Sequence, residues 1–173
     1  MMRSRKSKRR YNVVKMIIPV AKKVWPKYES GVNEMGLVYA EIDLINGGDM
    51  YLFRKNLLDE SDVKQVRINA LVDSGAYNLC INETIQKQLD LPFIEKQIVT
   101  LADESLLEVD FVGPVDIRFE NRSTTVRAVV LPGDSEVLLG SIPMEDMDVL
   151  IDPKQQKLLV NPKHPYVAVK PLK

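Results

Sequence analysis

One cysteine and one histidine are all that 173 residues supply of two chemically versatile side chains. A lone Cys80 excludes an internal disulfide, and no Cys/His cluster exists to hold a structural zinc. Cys80 lies in the apolar run Leu79-Cys80-Ile81 and reads as a small buried hydrophobe. His164 stands in a proline-flanked tail, so a Cys-His catalytic pair has little support. Long hydrophobic runs are missing too: the stretch 13–24 is interrupted by Lys15, Pro19, Lys22 and Lys23. It is a poor secretory signal and too short to cross a bilayer. No membrane partner is expected, and a reducing, cytoplasmic setting is the default compartment.

Net charge is missing as well, with 24 basic and 24 acidic residues. That balance argues against a dedicated nucleic-acid or membrane binder, but it hides a split. Through position 28 the chain has four Arg, six Lys and no acid, a segment of +10. The remainder has 14 basic against 24 acidic residues, a net −10. We therefore expect a basic, flexible leader over residues 1–34, a folded domain over 35–162 and a C-terminal tail over 163–173. The leader has four readings: a basic arm for nucleic acid or an anionic surface, an organellar transit peptide, a merely solvated segment, or a misplaced start with Met35 as the true first residue.

From Gly36 onward the pattern is one of short strands separated by turns. Residues 37–45 alternate loosely, with Glu41 and Asp43 on one side, and end at Asn46-Gly47-Gly48, read as a turn. Residues 50–58 fit either a short helix or a strand, and Asp59-Glu60-Ser61-Asp62 reads as a solvated loop. Residues 66–72 alternate and then become continuously apolar, as a strand does on entering a core. Leu79-Cys80-Ile81 is a second short strand. Asn82 can cap a helix carrying Ile85 and Leu89 inward, which Leu91-Pro92 ends. A hairpin is expected from 98–101 and 106–112, then a break at Gly113-Pro114. A second hairpin follows from 115–119 and 124–131. Val137-Leu138-Leu139 ends at Gly140, and Pro143 suits the first turn of a short helix through Met147. Strands at 149–151 and 157–160 close the chain. Such spacing describes a small closed all-β fold with one or two short helices.

The chemically pointed stretch is Ala70-Leu71-Val72-Asp73-Ser74-Gly75-Ala76. By average residue usage, Asp-Ser-Gly or Asp-Thr-Gly arises by chance in about one chain in ten of this length. Its context sharpens it, because three apolar residues precede Asp73 and an apolar pair ending in Gly140 follows later. A carboxylate at a strand end is rigidly held yet open to a cleft. Gly75 lets backbone and a second carboxyl approach closely, and Ser74 can bond back into the loop. One carboxylate is not enough, since hydrolysing a peptide needs an acid and a base around the same water. Two carboxyls about 3 Å apart cannot both ionise and so share one proton. The motif occurs once, so a working site requires a homodimer with the site on its two-fold axis.

Leu71-Val72-Asp73-Ser74-Gly75-Ala76 and Val137-Leu138-Leu139-Gly140 resemble the two signature elements of the retropepsin-like aspartic proteases, and most closely the small prokaryotic clan AA members. The resemblance covers approximately 66–160. It implies an acid-protease β barrel acting as a homodimeric aspartic endopeptidase on a peptide or protein substrate, with Asp73 catalytic and no metal or cofactor. Ser74, Gly75, Ala76, Leu138, Leu139 and Gly140 would shape the site. The hairpin 98–112 would be a flap over substrate, with Ala102, Asp103, Glu104 and Ser105 at its tip. The chain departs from retroviral members at Tyr77, where they carry an acid, and at the flap tip, which lacks their glycines.

Two other readings stay open. A catalytically silent dimer of this fold would bind peptide segments without cutting them. Alternatively, Asp73-Ser74-Gly75 is only a strand-ending turn in a domain that binds nucleic acid through its basic leader. The acidic group Glu145, Asp146, Asp148 and Asp152 lacks calcium-loop spacing and reads as a solvated edge.

Overall fold

The computed structural model describes residues 36–100 and 104–170. The leader with the alternative start at Met35, and Ala102 and Asp103 of the expected flap tip, lie outside the described residues. The strands are β1 (Tyr39–Asn46), β2 (Gln65–Val72), β3 (Leu79–Asn82), β4 (Phe93–Thr100), β5 (Leu106–Phe119), β6 (Arg122–Leu131), β7 (Leu138–Leu139), β8 (Val149–Asp152) and β9 (Lys157–Val160). Three short helices interrupt them: α1 (Gly47–Arg54), α2 (Glu83–Leu89) and α3 (Ser141–Met147). This is the small all-β architecture that the strand spacing predicts.

Seven strands form one sheet in the order β1-β2-β7-β3-β6-β5-β4, and β1 also pairs with β5, so the sheet closes on itself. Closure follows from β5, which at 14 residues serves two neighbours along one edge. Its first half pairs with β4 and its second half with β1, while β6 runs along its other edge. Strand β1 buries Ala40, Ile42 and Leu44 and turns Tyr39 and Glu41 outward. Those buried residues join Val72, Leu79 and Leu139 in one core, each large side chain contributing about 1.5–3 kcal/mol by leaving water. The hairpin β8–β9 is a separate two-stranded sheet.

Three local expectations are corrected. Asn46-Gly47-Gly48, read as a turn, is instead the start of a helix. Asn46 is the buried N-cap of α1, its Oδ1 accepting from Gly48 N at 2.8 Å and Asp49 N at 3.2 Å. Its Nδ2 donates to the Leu89 carbonyl at 2.9 Å, so the same side chain that starts α1 satisfies the end of α2. Gly113-Pro114 bends β5 rather than ending it, with Gly113 at φ +143° and the pairing register shifting between Val112 and Val115. Strand β4 begins at Phe93, five residues before the apolar pattern does, because its start is held by pairing to β5 and carries no buried stripe.

Elsewhere the local signals suffice. Asn82 caps α2 by accepting from Ile85 N at 2.9 Å, and Ile85 and Leu89 are buried. The chain end is pinned to the domain: Asn121 donates to the Pro165 carbonyl at 2.9 Å, Val169 N to Asp148 at 3.0 Å, and Lys170 pairs with Asp146 at 2.6 Å.

Candidate active site

Strand β2 delivers Asp73 to the edge of the core. Val72 is buried, while Leu71 and Asp73, on the opposite face, are half-buried. The Asp73 amide donates to the Leu139 carbonyl at 3.1 Å, tying the strand end to β7. One carboxyl oxygen, Oδ1, accepts from Gly75 N at 2.8 Å, and the Asp73 carbonyl accepts from Ala76 N at 3.2 Å. These two bonds close the turn and hold the carboxylate rotamer. Ser74 is exposed, so main-chain donors, not the serine hydroxyl, give the loop its shape. A Cβ on Gly75 would sit 3.1 Å from Asp73 Oδ1, which is why the smallest residue stands beside the carboxylate.

The second signature element meets the first in space. Strand β7 is inserted between β2 and β3, with Leu138 opposite Leu71 and Cys80, and Leu139 opposite Val72. Leu139 is fully buried; Leu138 is half-buried on the face that carries Asp73. Gly140 then passes directly under the loop after Asp73. A Cβ there would lie 2.3 Å from the Asn78 carbonyl oxygen and 2.8 Å from that of Ala76. The close approach lets Ser141 N donate to the Ala76 carbonyl at 2.8 Å and Ile142 N to the Tyr77 carbonyl at 3.0 Å. Asp73, Ser74, Gly75, Ala76, Leu138, Leu139 and Gly140 thus converge, although 61 residues separate the two groups. Of the expected flap tip, Glu104 is exposed with φ +65° and Ser105 leads into β5. Tyr77 is 75% exposed beside the turn.

The face that carries Asp73 also holds residues that the sequence reading did not assign to the site, Tyr39, Leu71 and Cys80, beside the expected Leu138. Strand pairing aligns Tyr39, Leu71, Leu138 and Cys80 in a lateral row across β1, β2, β7 and β3. None of the four is buried, so the row is a partly open apolar shelf on the same face as Asp73. Cys80 is therefore a shelf residue, not one of the fully buried core. Burial and then the nearby Asp73 charge push its thiol up to about 11, which keeps it protonated and unreactive. No sequence signal marks this row, because it depends on register between strands far apart in the chain. The loop before β7 is fastened to α2, with Asn82 Nδ2 donating to the Ser135 carbonyl at 3.0 Å and Thr84 to Asp134 at 2.9 Å.

The acidic residues after α3 are used separately. Asp146 takes Thr124 and Lys170. Asp148 takes Asn161, Val169 N and His164, the last at 2.7 Å. Asp152 closes its own turn. Among the described residues no three His, Cys, Asp or Glu side chains gather as a metal site, and no helix is long and apolar enough to cross a membrane.

Residues 60–142 match the family model described as aspartyl protease. This segment belongs to the retropepsin-like aspartic protease family. The aspartyl protease match runs from just before β2 to the first residues of α3, so it takes in the Asp73 turn, the β4–β5 hairpin and Leu138-Leu139-Gly140. Peptide hydrolysis is the activity that this family's name denotes. No curated protein matches the chain.

Proposed function

We propose that this chain is an aspartic endopeptidase that works as a homodimer, with Asp73 of each copy facing the other across the two-fold axis. The observation that carries this reading is the Asp73 carboxyl itself. One oxygen is locked by Gly75 N, and the side chain opens onto the half-exposed shelf of Leu71, Leu138 and Cys80. The motif occurs once per chain, so the second carboxyl must come from a second copy.

In that dimer the two carboxyls share one proton. The ionised one takes a proton from the trapped water, whose oxygen attacks the scissile carbonyl carbon. The protonated one donates to the carbonyl oxygen. Collapse of the tetrahedral intermediate breaks the C–N bond as a carboxyl returns a proton to the departing amine. Acid and base are both supplied by the pair, so this reading invokes no metal or cofactor. Ser74, Gly75, Ala76, Leu138, Leu139 and Gly140 hold the geometry, and the β4–β5 hairpin, with Ala102, Asp103, Glu104 and Ser105 at its tip, covers a peptide or protein substrate. We place the enzyme in the cytoplasm.

The test is peptide cleavage at mildly acidic pH by the purified dimer and its Asp73→Asn variant. Asp73→Asn keeps the fold and removes the ionisable pair, so cleavage is expected to fall by at least a thousandfold. Cleavage that persists unchanged in the variant defeats the assignment. A wild-type protein that binds peptides and never cuts them is the silent binder instead.

A further inference from the structure

We propose that Glu136 is a specificity residue of the cleft, giving it a preference for substrates with a lysine or arginine within about four residues of the bond to be cut. This rests on the reading of Asp73 as the reacting group. Glu136 lies two residues before Leu138 in the segment that leads into β7. In extended backbone, residues two apart share a face, and buried Val137 between exposed Glu136 and half-buried Leu138 shows that alternation. The carboxylate therefore stands on the shelf side. Parallel pairing puts Leu138 opposite Leu71 and Leu139 opposite Val72, so Glu136 is four positions upstream of the level of Asp73. At the usual rise per residue, that is roughly 13 Å, about the span of four residues of an extended peptide.

The side chain is also aimed. Tyr39, at the far end of the shelf row, donates its hydroxyl to Glu136 Oε1 at 2.8 Å. That bond draws the carboxylate toward the row Tyr39, Leu71, Leu138 and Cys80. Among the described residues no lysine or arginine pairs with Glu136, whereas the cation on this face of β2, Arg67, is engaged by Asp43 at 2.7 Å and Glu41 at 3.8 Å. An apolar shelf ending in an oriented, uncompensated carboxylate suits a long side chain with an apolar stem and a cationic head.

The test uses the full chain carrying Asp73→Asn, so that bound peptide stays intact. Fluorescein-labelled ten-residue peptides with an apolar centre and either lysine or norleucine three or four positions away are titrated by anisotropy. The lysine peptide is expected to bind about fivefold tighter, a ratio within the range of partly exposed ion pairs. Adding Glu136→Gln should bring the ratio to one. Tyr39→Phe, which frees the Glu136 carboxylate from its hydrogen bond, should lower the ratio toward one, whereas a merely structural role would weaken both peptides by the same factor and leave the ratio unmoved. Equal binding of the two peptides, or a ratio that survives Glu136→Gln, overturns the proposal. Wild-type digests tell the two readings apart. Cleavage without enrichment of basic residues defeats the specificity assignment alone; no cleavage and no binding defeats both.

Discussion

Replacing Gly140 by alanine tests the idea that the site is assembled by close backbone approach. Gly140 has φ −82°, where any residue is at ease, so the cost comes from packing alone. The new Cβ would meet the Asn78 oxygen at 2.3 Å, the Ala76 oxygen at 2.8 Å and the Tyr77 carbonyl carbon at 2.8 Å. All three are backbone atoms, and no rotamer change relieves them. Restoring ordinary contact requires the 76–78 loop and the start of α3 to separate by about 1 Å, since carbon contacts are comfortable near 3.5 Å. That motion stretches the bonds from Ser141 N to Ala76 and from Ile142 N to Tyr77, now 2.8 and 3.0 Å, beyond useful length. Overpacking costs roughly 1–3 kcal/mol and each lost bond about 1 kcal/mol, so a destabilisation of about 3–5 kcal/mol is expected. For a domain of this size the melting temperature should fall by roughly 10–15 °C. Urea and thermal unfolding followed by circular dichroism measure both quantities. Gly133→Ala is the control: Gly133 has φ +64° and open space around its Cβ position, so only the left-handed backbone cost of about 1 kcal/mol applies. A Gly140→Ala protein within about 1 kcal/mol of wild type would refute the reasoning.

Gly75→Ala should do the reverse of Gly140→Ala, leaving stability within about 1 kcal/mol while pressing on Asp73 Oδ1 from 3.1 Å; on the proposed reading of Asp73 as the reacting group, displacing it by a few tenths of an ångström should lower kcat about ten- to hundredfold, and steady-state kinetics with unchanged unfolding would show it. Asp148 predicts an acid limb. Its carboxyl is held down to about 2 from 3.8, first by Val169 N, then by Asn161 and His164. The fold thus favours the ionised form, and the stability it confers is present above about pH 4 and lost as pH falls from there toward 2. Asp148→Asn should flatten that part of the curve of unfolding midpoint against pH; parallel curves for the two proteins between pH 4 and 2 would count against the pinned chain end.

Much of the fold was legible wherever the determining interactions are local. Asn82 announces α2 because a cap acts on amides three residues away, and Ile85 and Leu89 show its buried face. Pro143 and the apolar residues around it do the same for α3. The Asp73 turn was visible because its shape is made by Gly75 and Ala76, its immediate neighbours. Asn46 misled because its partners include the Leu89 carbonyl, 43 positions away, so a local turn signal became a helix cap. Gly113-Pro114 misled because neighbours on both edges hold β5 together across a bend that, in an isolated segment, would end the strand.

By itself, then, the sequence determined the class of fold and pointed to the residue that carries the proposed chemistry; a second copy is required only by that proposal, because the motif is present once. Tertiary structure alone decided what surrounds that residue. Placing β7 between β2 and β3 brings Gly140 beneath the Asp73 loop and aligns Tyr39, Leu71, Leu138 and Cys80 as a shelf. Register between distant strands is set by burying one face of every strand at once, a condition satisfied only by the assembled sheet.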